Sequence, residues 1–244
     1  VAILRLVNHN TEQTKPQTVN FYQSFFRQHT LKEALMESVI CVDGVVGAGK
    51  STLGAILAKE MDLHFFLEPV ENNPLLDKFY YDQQRYSFPL QVYFLNKRFR
   101  MLKEAALLPG CVMDRSIYGD VIFARLLTHA GKMSTEEFDL YEELLHNMLE
   151  HVSRPRLMVY LDITVENAVA RIHERGRDYE QVVARQYWEQ LGEHYTDYFS
   201  HYNYSDLLRI DVNGLDVRHS AQDRAHVLSQ IKTRLAETVP LAVK

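Results

Sequence analysis

Cysteine is scarce. The two that occur, Cys41 and Cys111, both fall inside short apolar runs, where a free thiol behaves as a small hydrophobe, so no disulfide framework or cysteine metal site is implied. Also missing is any apolar stretch near the ~18 residues of a membrane span, and the opening segment lacks the basic head and apolar centre of a secretory leader. A soluble, cytoplasmic protein with no membrane partner is the expectation. Basic residues are outnumbered: 27 Lys and Arg against 32 Asp and Glu leave a formal charge of −5. That balance disfavours a nucleic acid polymer as partner, because neutralising many phosphates needs a basic surface. The eleven histidines include no pair at convincing metal-ligand spacing; His146 and His151 read as helix-surface residues. No internal repeat or low-complexity linker divides the chain.

What remains is ample material for one core, with 46% hydrophobic residues over 244 positions. Five short β-branched and aliphatic runs, 39–42, 64–67, 111–113, 157–161 and 207–212, read as buried strands. Helical patterns lie between them: after Gly49, from Tyr86 towards Leu107, from Ser134, over 165–175 and over 185–199. Ser134 with Glu137 three residues on marks a capping box at one helix start. Strands that alternate with helices and never follow one another predict an α/β fold with a five-stranded parallel sheet flanked by helices on both faces. The expected division is an N-terminal extension over 1–37 and one domain over 38–244.

The strongest local signal is Gly44-Val45-Val46-Gly47-Ala48-Gly49-Lys50-Ser51, set between a predicted strand and a predicted helix. Glycines let the backbone curl until successive N–H groups converge on phosphate oxygens at a helix N-terminus. In this P-loop pattern Lys50 reaches the β- and γ-phosphates, Ser51 ligates Mg²⁺ and Thr52 continues the phosphate-binding turn. In open parallel sheets the ligand crevice lies beyond the carboxyl ends of the strands. Two acids stand there, Glu68 after the second run and Asp114 after the third. Phosphoryl transfer to an alcohol needs a proton acceptor, a Mg²⁺ ion and cations to balance charge. Glu68 suits the first role, and Asp114 joins Ser51 as a Mg²⁺ ligand, directly or through water. Arg171 and Arg175 fall at i and i+4 on one helix face, followed by Gly176 and Arg177. Like charges so placed favour an anion between them, and guanidinium groups on a glycine hinge suit an arginine-bearing lid.

Taken together, Glu68-Pro69-Val70, the segment 80–91 ending in Ser87-Phe88-Pro89-Leu90-Gln91, Asp114-Arg115-Ser116 with Asp120, Arg175-Gly176-Arg177-Asp178-Tyr179-Glu180, and Asp211-Val212-Asn213 resemble the deoxynucleoside kinase family. The resemblance spans roughly 38–236, and Glu71-Asn72-Asn73-Pro74 resembles its bacterial deoxyadenosine/deoxyguanosine kinase branch. It implies a kinase that moves the γ-phosphoryl group of ATP to the 5′-hydroxyl of a deoxynucleoside, favouring deoxyadenosine or deoxyguanosine. It further implies Glu68 as base on that hydroxyl, Arg115 holding both, and Tyr80 with Glu180 on the 3′-hydroxyl. Gln91 would meet the base edge beside Arg98 and Asp120. Arg171, Arg175 and Arg177 would be the lid arginines, Asp211 and Asn213 would lie near the donor adenine, and a homodimer would form through long helices such as 134–151. Rival readings are a deoxycytidine-preferring kinase, a nucleoside monophosphate kinase and a kinase-shaped interaction protein without catalysis.

Overall fold

The computed structural model describes residues 38–70 and 73–238; the extension expected over 1–37 lies outside them. The elements run β1 (Ser38–Asp43), α1 (Lys50–Met61), β2 (His64–Phe66), α2 (Leu76–Tyr81), α3 (Gln83–Ala105), β3 (Gly110–Asp114), α4 (Asp120–His129), α5 (Thr135–Leu149), β4 (Leu157–Asp162), α6 (Val165–Arg175), α7 (Asp178–Gln181), α8 (Arg185–Ser200), β5 (Asp206–Asp211) and α9 (Ala221–Glu237). The strands form one sheet in the order β2-β3-β1-β4-β5, and every pairing is parallel. The expected five-stranded parallel sheet is therefore present.

β3 is buried at every position and β4 at all but its last, which requires cover on both faces, since successive side chains point to opposite sides. Continuous apolar runs such as Ile40-Cys41-Val42 and Leu157-Met158-Val159 supply that core, with both cysteines free and fully enclosed. α1 packs on β1, β2 and β3, while α9 rests on β5.

Among the described residues, α2, α4, α7 and α9 lie outside the helical patterns read from the sequence. α4 buries Asp120, Val121, Ile122, Ala124, Leu126 and Leu127, so buried residues occupy most of its circumference. α9 had legible signals, with Val227, Leu228, Ile231 and Leu235 on one face and Ser220 capping the Asp223 N–H.

Register sets the site. Val42 pairs with Asp114, and Phe66 with Met113, so the loop after β1, the end of β3 and Glu68 just beyond β2 share one rim of the sheet. β1 lies between β3 and β4, the place where strand order reverses and an open α/β sheet leaves a crevice.

Candidate active site

The loop from Gly44 to Gly49 leaves β1, turns at Val46 and Gly47, where the Ala48 N–H donates to the Val45 carbonyl at 3.2 Å, and enters α1. Gly47 has φ 86°, and a Cβ there would meet the Ala168 carbonyl at 2.5 Å; only glycine satisfies both constraints. Lys50 is buried and folds back over the loop, donating from Nζ to the Gly44 carbonyl at 2.9 Å and the Val45 carbonyl at 3.0 Å. Burial and the nearby Arg115 lower its pKa to about 8, against the pull of Glu68, Asp114 and Asp43. Ser51 donates its hydroxyl hydrogen to Asp114 Oδ2, while Asp114 Oδ1 is buried without a partner. Burial raises the Asp114 pKa, with Lys50 opposing.

Across the rim, Glu68 is gripped by two buried arginines. Arg98 Nη2 donates to Glu68 Oε1 at 2.7 Å, and Arg115 Nε approaches the same oxygen at 3.1 Å. Desolvation alone would raise the Glu68 pKa, but Arg115, Arg98 and Lys50 outweigh it and hold the carboxyl down at about 2. Arg98 also pairs with Asp120 Oδ1, and burial pushes that carboxyl up to about 6 despite the arginine. Arg115 adopts a left-handed backbone, φ 65°, directly after β3, an uncommon conformation outside glycine that concentrates at functional sites. Its guanidinium lies 4.7 Å from the Phe123 ring centroid.

The basic segment divides its labour. Arg175 grips the buried Glu180 with both fork nitrogens, at 2.7 and 2.8 Å from Nη2 and 3.2 Å from Nε, and Arg177 reaches the same carboxylate at 3.5 Å. Arg171 instead donates to the carbonyls of Ala48, Val212 and Leu215. It thereby fastens the 212–215 turn against the phosphate loop.

These groups share one cavity of about 840 Å³. Its walls include Gly47 to Thr52, Glu68, Tyr80, Gln91, Arg98, Asp114, Arg115, Asp120, Arg171, Arg175, Arg177 and Glu180. Three candidates do not line it. Gly44 sits at the root of the loop, while Asp211 and Asn213 are occupied in a local turn in which Asn213 Oδ1 accepts from Thr164 N and Asn167 Nδ2 and Asp211 Oδ1 accepts from Asn213. The cavity wall there is made by Val212 and by residues 215–219.

A family model described as deoxynucleoside kinase matches residues 40–236. The chain belongs to the deoxynucleoside kinase family. A deoxyguanosine kinase of Lactobacillus johnsonii is 41% identical over 209 residues, 82% of this kinase and 93% of the relative. A deoxyadenosine/deoxycytidine kinase of Bacillus subtilis is 38% identical over 200 residues, 80% of this kinase and 91% of the relative. The structure of deoxyadenosine kinase from M. mycoides with bound dATP matches with a TM-score of 0.71 at 30% identity, covering 79% of this kinase and 98% of that chain. The same enzyme with bound dCTP matches at a TM-score of 0.71 and 28% identity.

Aromatic side chains complete the cavity wall of this kinase. Phe79, Phe94 and Phe123 fall at the helical spacing of core residues, although the family resemblance lets one or two such aromatics sandwich a base; all three reach the cavity wall, where Tyr179 and Tyr187 join them. Tyr179 lies ring to ring with Tyr80 at 5.0 Å, bringing α7 against α2 over the cavity. Asp43, the buried last residue of β1, stands at a strand end like Glu68 and Asp114, and the same positional rule marks it.

Proposed function

We propose that this kinase transfers the γ-phosphoryl group of ATP to the 5′-hydroxyl of a purine deoxynucleoside, with Glu68 as the acceptor of the hydroxyl proton. The observation that carries the reading is an ionised carboxylate, held by Arg98 and Arg115, in the same cavity as the phosphate loop.

The deoxynucleoside enters with its 5′-hydroxyl at Glu68 and Arg115 and its 3′-hydroxyl at Tyr80 and Glu180. Gln91, buried on the cavity wall, offers both a donor and an acceptor to the base edge, beside the Arg98 and Asp120 pair and the rings of Phe94 and Phe123. A carboxylate with a pKa of about 2 is a weak base but fully ionised at neutral pH. Its task in a loose phosphoryl-transfer transition state is to orient the hydroxyl and take the proton as the new bond forms. The triphosphate lies along the Gly47 to Thr52 amides and captures Lys50 from its two carbonyl partners. The donor base rests by Val212 and 215–219.

Ser51 and Asp114 fit a Mg²⁺ site, since their donors are all oxygen, Asp114 Oδ1 is unpartnered, and this ion typically uses one or two carboxylates plus substrate phosphates. When bound it would neutralise charge on the β- and γ-phosphates. Arg175 and Arg177 would form the lid, exchanging Glu180 for phosphate oxygens, with Gly176 at φ 71° as the hinge. We place the reaction in cytoplasmic nucleotide salvage and assign a homodimer through long helices, to which α5 contributes.

Deoxycytidine is the second reading, favoured by the Bacillus subtilis relative whose name includes it. The test is ADP release with Mg-ATP and each of the four deoxynucleosides. A purine deoxynucleoside should be the best acceptor, with deoxycytidine weaker. Thymidine as best acceptor would contradict the placement of Arg98 and Asp120 at the base.

A further inference from the structure

Asp43 is fully buried and lies outside the cavity wall, at the point where β1 becomes the phosphate loop. Its Oδ1 accepts the Gly44 N–H at 2.8 Å and the Tyr195 hydroxyl at 3.3 Å. Oδ2 is buried with no hydrogen-bond partner. Gly119 presses on that second oxygen so closely that a Cβ there would stand 2.5 Å away. Burying a carboxylate with one oxygen unpaired is costly, and this one favours the charged forms of Arg115 and Lys50.

Tyr195, on α8, carries the other half. Its ring is fully buried, 6.0 Å from the Arg115 guanidinium and edge-on to Phe123. Arg115 in turn approaches Glu68 at 3.1 Å. A continuous path therefore runs from the first amide of the phosphate loop, through Asp43 and Tyr195, to the arginine that holds the acid.

We propose that Asp43 and Tyr195 are a positioning pair that locks the phosphate loop and the Arg115–Glu68 couple into one frame, so that phosphate donor and acceptor hydroxyl meet in line. The inference rests on the phosphotransfer reading above and names two residues outside the cavity wall that serve it. α8 follows α7 in the chain, so the pair also ties the lid-bearing segment to the root of the loop.

Three variants test it. Tyr195→Phe removes one hydroxyl. Asp43→Asn keeps an acceptor but removes the charge. Gly119→Ala, at a backbone φ of −90° that alanine accepts, drives a methyl against Oδ2 while altering no group on the cavity wall. Turnover of the best deoxynucleoside is measured beside ATP-binding stoichiometry by calorimetry. Turnover by the parent protein decides the phosphotransfer reading; the ratios between variants and parent decide the pairing. Each variant should lose kcat on the order of tenfold, the scale expected of small misplacements, while binding one ATP per chain with near-parental affinity and a deoxynucleoside KM within about twofold. The Asp43→Asn/Tyr195→Phe double variant should be no slower than the slower single, because both break the same path. Parental kcat in Tyr195→Phe and Gly119→Ala, multiplying losses in the double variant, or loss of ATP-binding capacity in step with turnover would each overturn the pair.

Discussion

Glu68 shows how one side chain is tuned by opposing effects. Entry into the cavity disfavours its charge, and two guanidinium groups and an ammonium reverse that penalty, taking the pKa from 4.5 to about 2. A native pKa below the unfolded value means the unfolded chain binds the proton more readily in acid. The stabilisation is complete above pH 4.5 and is lost as the pH falls through about 2. A shift of this size corresponds to at most about 3 kcal/mol. Glu68→Gln should therefore be less stable than the parent at neutral pH, with a flatter loss of stability between pH 4.5 and 2. Urea unfolding across that range checks it, and parallel curves would contradict it. At this scale the acids at Glu68 and Asp114 were legible because strand ends are where chemistry collects. Of the partners of Glu68, the resemblance pointed to Arg115 but not to Arg98, which lies thirty positions away with nothing local in the chain to join the two.

Among the elements, those with a strong local signature were readable and those made by tertiary burial were not. The Ser134 and Glu137 capping box is present in full, with the Glu137 N–H donating to Ser134 Oγ at 3.2 Å and the Ser134 N–H to Glu137 Oε2 at 2.9 Å. Ser134→Ala should cost about 1 kcal/mol and lower Tm by roughly 2–4 °C with kcat unchanged, because α5 supplies no residue to the cavity wall; a calorimetric scan beside a rate measurement would show it. α3 begins three residues earlier than the apolar pattern suggested, because Asp82 accepts the Arg85 N–H at 3.1 Å and starts the helix there. The phosphate-loop pattern was readable because its geometry leaves little choice, although Gly44 sits at the root of the loop and off the cavity wall. Gly47→Ala should abolish ATP binding, as the new methyl would collide with the Ala168 carbonyl; isothermal titration that finds parental affinity would contradict this.

In the whole molecule, the order β2-β3-β1-β4-β5 converts separate motifs into one site by placing the ends of β1, β2 and β3 side by side. Alternation of strand and helix was enough to foresee a parallel sheet, and the crevice rule then located its functional edge. Which aromatics line the cavity was not legible from spacing alone, since Phe94 and Phe123 have the spacing of core residues and are distinguished only by what packs opposite them. The separate fates of Arg171 and Arg175 were equally hidden, because Arg171 is held by the turn at 212–215, more than forty positions further along the chain, while Arg175 is held by Glu180 only five positions on. An ionised acid and a phosphate loop share one cavity. The most direct test is transfer of γ-labelled phosphate from ATP to the best deoxynucleoside by the parent and by Glu68→Gln, both folded and both binding ATP. Label should appear on the 5′-position with the parent and fall roughly 10²–10⁴-fold in the variant; equal transfer by the two proteins would contradict Glu68 as the proton acceptor.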